Sequence, residues 1–221
     1  MRLSLLGGTG SIGEALALRW ARDTDHDVLV GSRDPAKARE AVERYETTLE
    51  SQGASGSLSG FANEMVADRA DVIVLSVPPY HIRDTVNSIS EQIGDAIVVS
   101  PAVGISNSAS GFEYDGPPAG SITQLVADTV ADDVSVVGAY HTLPAARLAS
   151  LDSDIELDVP IVGTDADARR TVSRLTDEIT ALRAVDAGGL ENARVVESLT
   201  PLVLTIKAQN ESIGDVGVHF Q

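Results

Sequence analysis

The sequence predicts an α/β fold, a doubly wound parallel sheet with helices on both faces. Three observations carry this. Apolar runs (RLSLLGG, HDVLVGSR, DVIVLSVPP, DAIVVSPAVG, VSVVGAYHTLPA) alternate with segments of helical periodicity. Each run is apolar throughout rather than at every second residue, as expected of strands buried on both faces. Four glycines, Gly7, Gly8, Gly10 and Gly13, stand between the first run and the first helix. Glycine weakens both kinds of element, so something must need the bare backbone there.

Taken in order, RLSLLGG reads as a core strand and GSIGEALALRWARD as an amphipathic helix. HDVLVGSR is a second strand. DPAKAREAVERYETTLESQG follows as a helix, capped by Asp34, with Pro35 at its first position and Gly53 near its stop. DVIVLSVPP is the third clear strand, HIRDTVNSISEQIG a helix and DAIVVSPAVG the fourth strand. GISNSASGFEYDGPPAG is polar and rich in glycine and proline, and is expected to be a binding loop or lid. SITQLVADTVAD reads as a helix and VSVVGAYHTLPA as the fifth strand. Beyond it come a strand and helix in VPIVGTDADARRTVSRLTDEI, a short strand in LRAVDAG, and a long apolar helix in ENARVVESLTPLVLTIKAQN that contains Pro201. The change of style predicts residues 1–145 as a nucleotide-binding domain and 146–221 as a smaller C-terminal α/β domain, across a boundary the sheet is free to cross.

Composition narrows the function. The chain has no cysteine, which excludes disulfides, thiolate nucleophiles and Cys-based metal sites. Its four histidines form no ligand pair, so no protein-built metal site is expected. With 33 acidic against 16 basic residues, the net charge is −17. That balance disfavours nucleic-acid binding, which needs a basic surface. The acids are scattered rather than run together. A halophilic cytoplasm explains this better than ordinary mesophilic acidity, because at molar salt the screening length falls to about 3 Å and self-repulsion costs little. No apolar run approaches the roughly 20 residues of a membrane span, and no signal-peptide pattern opens the chain, so a cytoplasmic location is expected.

Gly8-Thr9-Gly10-Ser11-Ile12-Gly13 matches G-x-G-x-x-G, with a strand before it and a helix after it. In a Rossmann-type fold these glycines give a tight turn, room for a pyrophosphate and close helix–strand packing, while the helix start faces the anion. The competing reading is a glycine turn that merely packs. NAD-binding chains carry an acid at the end of the second strand, about 20 residues on. Here Ser32 and Arg33 stand there, with Lys37 one helical turn later. A hydroxyl, a guanidinium and an ammonium suit a 2′-phosphate, and Arg33 can also stack on adenine, so NADP is favoured over NAD. Val77, Pro78 and Val103 follow strand ends and either line the nicotinamide or pack loops. His141 ends the fifth strand at the same edge, where a satisfied loop histidine is an equal reading. Ser198 and Thr200, inside an apolar helix, are often core hydroxyls bonding the preceding turn.

GGTGSIG, VGSR, VSPAV, HTLPAAR, DVPIVG, DAGGLENARVVESLTPL and a closing GDVGVHF, in this order, resemble the archaeal F420-dependent NADP reductases over essentially the whole chain. The resemblance implies hydride transfer between C5 of the reduced deazaflavin coenzyme F420 and C4 of NADP. It implies NADP contacts at Thr9, Gly10, Ser11, Ile12, Ser32, Arg33, Lys37, Pro78, Val103 and Ala145. Deazaflavin contacts are implied at His141, Leu143, Ser198, Thr200 and Val216, with His141 at the deazaflavin edge as the catalytic candidate. Pro79 departs from the family, which can carry a bulky aromatic at that place. Two other readings of the residues are an NADPH-dependent reductase of a flavin, quinone or ferric iron, and a non-catalytic NADP sensor. The helix around Leu199 to Ile206 is apolar over most of its circumference, which suggests a second surface and, with the resemblance, a homodimer.

Overall fold

Eight strands form one sheet in a computed structural model that describes residues 1–153, 156–180 and 182–221. The chain opens with β1 (Arg2–Leu6), α1 (Ser11–Asp23), β2 (Asp27–Ser32), α2 (Pro35–Ser51), β3 (Ser57–Ala62), α3 (Asn63–Ala67) and β4 (Val72–Leu75). A 3₁₀ turn at Pro79–His81 leads into α4 (Ile82–Ser88) and β5 (Ile97–Ser100). Next come a hairpin of β6 (Ile105–Ser108) and β7 (Gly111–Tyr114), then α5 (Ile122–Ala127), β8 (Val136–Gly138) and α6 (Ala145–Ala149). The chain closes with β9 (Leu157–Gly163), α7 (Ala166–Asp177), β10 (Leu182–Asp186), a 3₁₀ turn at Leu190–Asn192 and α8 (Ala193–Gln209).

The strand order is β10-β9-β8-β5-β4-β1-β2-β3. From β3 to β8 every pairing is parallel, and the order reverses between β1 and β4, as in a Rossmann sheet. β9 pairs antiparallel with β8, then β10 runs parallel to β9. The sheet therefore continues unbroken across residue 145. Because β9 is reversed, Leu157 projects beyond the carboxyl end of β8, on the side where a doubly wound sheet binds ligands.

Two apolar layers sandwich the sheet. One is built from Leu3, Leu5, Leu16, Trp20, Tyr45, Val74, Val137 and Ile161 under α1, α2 and α7. The other is built from Leu6, Ile73, Leu75, Ile82, Val98, Ile122 and Val136 under α3, α4 and α5. Trp20 closes the first layer with its ring edge-on to Tyr140 at 5.9 Å, and its indole N–H donates to the Leu175 carbonyl.

Two elements depart from the sequence reading. SLSGFA forms an edge strand, β3, although only Leu58 on it is buried. The polar segment expected as a lid is a hairpin packed on α8. There the Thr205 hydroxyl accepts from Phe112 N–H at 2.9 Å and donates to the Phe112 carbonyl at 3.2 Å. Pro201 sits inside α8, and the helix passes through it without breaking. The expected helix after Pro79 ends at Ser88, and that after Ser121 at Ala127.

Candidate functional site

The crevice opens where the strand order reverses. Its floor is the turn from β1 to α1. Gly7 adopts φ +69°, and a methyl there would lie 2.7 Å from Val77 Cγ1, so the turn tolerates no side chain. Gly8 and Gly13 meet backbone to backbone: a methyl on Gly13 would stand 2.6 Å from the Gly8 Cα. That contact seats the start of α1 against the turn. Gly8 N–H is spent on the carbonyls of Leu5 and Gly31. No side chain caps α1 at Gly10, which leaves the amides of Ser11, Ile12 and Gly13 at the positive end of a 13-residue helix.

Two side chains hold this turn. Tyr45, fully buried on α2, donates its hydroxyl to the Gly8 carbonyl at 2.9 Å, and burial pushes its phenol pKa upward. Asn63, at the start of α3, accepts from Gly7 N–H through Oδ1 at 3.4 Å. Neither residue stands in the glycine motif. Both are recognisable only once α2 and α3 pack behind it.

A cleft of about 600 Å³ runs over the turn. Its lining includes Gly7, Thr9 and Gly10, Ser32 and Arg33 at the end of β2, Lys37 on α2, Val77 and Pro78 after β4, and the acids Asp34, Glu64 and Asp84. His81, one of the four histidines and not among the expected site residues, also lines the cleft. Asp34 spends its side chain on capping α2, accepting from Ala36 N–H at 3.0 Å, while Ser32 Oγ accepts from Asp34 N–H at 3.2 Å. The Ser32 hydroxyl hydrogen, the exposed guanidinium of Arg33 and the ammonium of Lys37 are thus donors on one side of the cleft. Among the described residues, no cluster of histidine, aspartate and glutamate is arranged to hold a metal ion, and no helix is long and apolar enough to cross a membrane.

The second group of expected residues lies farther along the same sheet edge. Tyr140, at φ 68°, turns the chain sharply after β8; for a bulky residue this conformation is strained. The turn buries the neighbouring His141 side chain, which is 7% exposed, with both ring nitrogens unpartnered. Burial alone pushes its imidazole pKa down to about 4, so the ring is neutral at pH 7. Thr200 on α8 donates to the His141 carbonyl at 2.9 Å, whereas the Ser198 hydroxyl folds back on the Arg194 carbonyl at 2.6 Å.

Leu143 and Ala145 pack with Ile12 on the apolar layer beneath α1. The buried Arg19 of α1 fixes α6 through the carbonyls of Leu148 at 2.7 Å and Ser150 at 3.0 Å. Val103 is half-buried just after β5. The C-terminal segment carrying Val216 returns to the start of β9, where Asp158 N–H donates to the Val218 carbonyl at 2.8 Å. Asp158 is also paired with Arg183 at 2.6 Å, and its carboxyl is held below the usual range chiefly by that contact.

Glu197 was not singled out by the sequence, yet it is the most heavily bonded side chain at this edge. Wholly buried on α8, it accepts from the backbone N–H groups of Ile122 and Thr123, from the Thr123 hydroxyl at 2.9 Å, and from the Tyr114 hydroxyl at 2.7 Å. Desolvation pushes its carboxyl pKa up, and these bonds act against that shift. The available signal is that Glu197 is the one acid of α8, following Val195 and Val196.

Comparison with known proteins finds relatives of this chain. The family of coenzyme F420-dependent NADP oxidoreductases matches residues 2–104, which contain the whole glycine turn and the Ser32–Arg33 pair. The F420-dependent NADP reductase of Methanocaldococcus jannaschii is 32% identical over 216 residues, covering 97% of this chain and 96% of that protein. The F420-dependent NADP reductase of Methanothermobacter thermautotrophicus is 32% identical over 224 residues, covering 100% of this chain and 94% of its own length. A crystal structure from Arthrobacter sp. FB24 shares the fold with a TM-score of 0.76 at 22% identity, covering 95% of this chain and 94% of that one. Full-length similarity of this degree to two such reductases establishes that the chain belongs to the F420-dependent NADP oxidoreductase family.

Proposed function

We propose that the protein transfers a hydride between reduced coenzyme F420 and NADP⁺, reversibly. The observation that carries this reading is the cleft itself: open helix-start amides at one point and a hydroxyl, a guanidinium and an ammonium at another. That spacing of donors fits a dinucleotide phosphorylated on its adenosine ribose. Ser32 and Arg33 stand where NAD-binding chains carry an acid, with Lys37 close by, and Asp34 Oδ1 is engaged in the α2 cap, which favours NADP over NAD.

When bound, the two cofactors supply the redox chemistry, a hydride passing between C4 of the nicotinamide and C5 of the deazaflavin. The chain supplies binding, orientation and exclusion of water. Ser11, Ile12 and Gly13 offer amides to the diphosphate, with Gly8, Thr9 and Gly10 shaping the approach. Ser32, Arg33 and Lys37 hold the 2′-phosphate. Val77, Pro78, Val103 and Ala145 form apolar walls for the nicotinamide. Leu143 and Val216 give the corresponding walls of the deazaflavin site. His141, Ser198 and Thr200 face its polar edge, the neutral imidazole of His141 taking part as a hydrogen-bonding group rather than as a cation.

On this reading residues 1–145 hold NADP, and residues 146–221 complete the deazaflavin side. The exposed stripe of α8, with Val195 at 66%, Leu202 at 54% and Ile206 at 39%, then serves a homodimer contact. The test is to mix the protein with coenzyme F420 and NADPH and follow the deazaflavin absorbance. Bleaching with NADPH, and far slower bleaching with NADH, is expected. No change with NADPH would overturn the assignment.

A further inference from the structure

The edge of β9 that faces β8 is occupied by two different parts of the chain. At its end, Val162 pairs with Gly138, and Thr164 N–H donates to the Val136 carbonyl at 2.9 Å. At its start, Asp158 N–H donates to the Val218 carbonyl at 2.8 Å. Alternate residues of a strand aim their N–H groups at one edge, so Asp158, Val162 and Thr164 all serve the β8 side. Between them stands Pro160, which has no N–H to satisfy. β8 leaves this edge at the Tyr140 turn. Continued in register, it would have set residue 142 opposite Asp158, and the C-terminal tail takes that place instead.

Asp158 holds the tail by its side chain as well. The buried carboxylate accepts Phe220 N–H through Oδ2 and pairs with Arg183, Nε to Oδ1 at 2.6 Å and Nη2 to Oδ2 at 2.7 Å. The same Nη2 donates to the Phe220 carbonyl at 2.5 Å, so both backbone groups of residue 220 are taken. The Phe220 ring is 48% exposed, so the grip is on backbone rather than side chain. Gly217 lies close on Leu157, where a methyl would run into Leu157 Cδ2. Leu157 in turn packs on the same apolar layer as Leu143 and Ala145. On the other side of Val216, Asp215 meets Lys207 of α8 at 2.8 Å, a solvent-exposed pair that holds weakly. Half-buried Val216 therefore hangs between α8 and β9, and its firm end is at Asp158.

We propose that the Asp158–Arg183 pair is a latch for the C-terminal tail, and that by fixing Val216 beside the end of β8 it makes Asp158 a positioning residue for the deazaflavin side of the reaction. The role of Val216 as a wall of that site rests on the hydride-transfer reading above, while the latch does not. Asp158 and Arg183 touch neither cofactor in this scheme. They act through the backbone of residues 218 and 220.

The test pairs two substitutions at the exposed end of the tail. Phe220→Pro removes the N–H and puts a ring carbon against the Asp158 carboxylate, leaving the ion pair itself in place. Phe220→Ala keeps the N–H and is expected to match the wild type. Hydrogen exchange at the Asp158 amide, followed by NMR, reads the tail directly: slow exchange in the wild type and the alanine variant, fast exchange in the proline variant. Equally slow exchange in the proline variant overturns the proposal. Steady-state kinetics with each cofactor varied reads the site. The KM for coenzyme F420 is expected to rise about tenfold in Phe220→Pro, with kcat and the KM for NADPH unchanged. A released tail with an unchanged KM for F420, or equal losses for both cofactors, overturns the positioning role. Asp158→Asn breaks the ion pair and should raise the same KM; Phe220→Pro decides alone if that variant fails to fold. A wild-type protein with a protected Asp158 amide and no reduction of F420 would contradict the cofactor reading and leave the latch standing.

Discussion

The Tyr45 hydroxyl donates to the carbonyl of Gly8 at 2.9 Å, so α2 grips the phosphate-binding turn from behind. Tyr45→Phe keeps the ring and its packing but leaves a buried carbonyl without this donor. The expected cost is about 1–3 kcal/mol of stability, with NADP binding weakened several-fold. Denaturant titration and nucleotide titration measure the two effects separately. An unchanged midpoint would show that the carbonyl finds another donor.

Arg33→Asp replaces the guanidinium with the acid that NAD-binding chains use at this place. Loss of a charge-assisted contact to the 2′-phosphate should weaken NADP binding by on the order of 2 kcal/mol, or roughly 30-fold. The new carboxylate should improve NAD binding at the ribose. Comparing both nucleotides on both proteins checks the direction, and equal losses for NADP and NAD would place Arg33 outside the 2′-phosphate site.

His141 makes stability depend on pH. Its folded pKa of about 4 lies below the ordinary 6.5, so between these values the unfolded chain binds a proton that the native chain does not. Its contribution is fully present above about pH 6.5 and is lost as acidification proceeds toward pH 4, roughly 3 kcal/mol in all. His141→Asn does not titrate and should flatten this part of the stability curve. A slope equal to that of the wild type would mean that the ring is solvated.

Leu202 lies at the centre of the exposed α8 stripe. Leu202→Glu should convert a dimer to a monomer without lowering the helix content, as read by sedimentation and circular dichroism. A wild-type protein that sediments as a monomer contradicts the dimer reading directly.

The parts that were legible in the sequence are those whose chemistry is local. The glycine turn and the Ser32–Arg33 pair announce themselves because each residue acts within a few positions of its neighbours. The Asp34 cap was readable for the same reason, and Asp34 does spend its side chain on Ala36 N–H. β3 was missed because an edge strand needs little apolar surface, and SLSGFA has only one buried side chain. The β6–β7 hairpin was read as a loop because its partner, Thr205, lies 93 residues from Phe112. The setting of His141 depends on the unusual backbone of Tyr140 and on Thr200, 59 residues away, whose hydroxyl donates to the His141 carbonyl.

Direct transfer between the two cofactors is the centre of the account, and an isotope label tests it most simply. With NADPH doubly deuterated at C4 and coenzyme F420 in ordinary water, the account predicts one deuterium at C5 of the reduced deazaflavin. Reduced deazaflavin that carries only solvent hydrogen at C5, or no reduction at all, would contradict it.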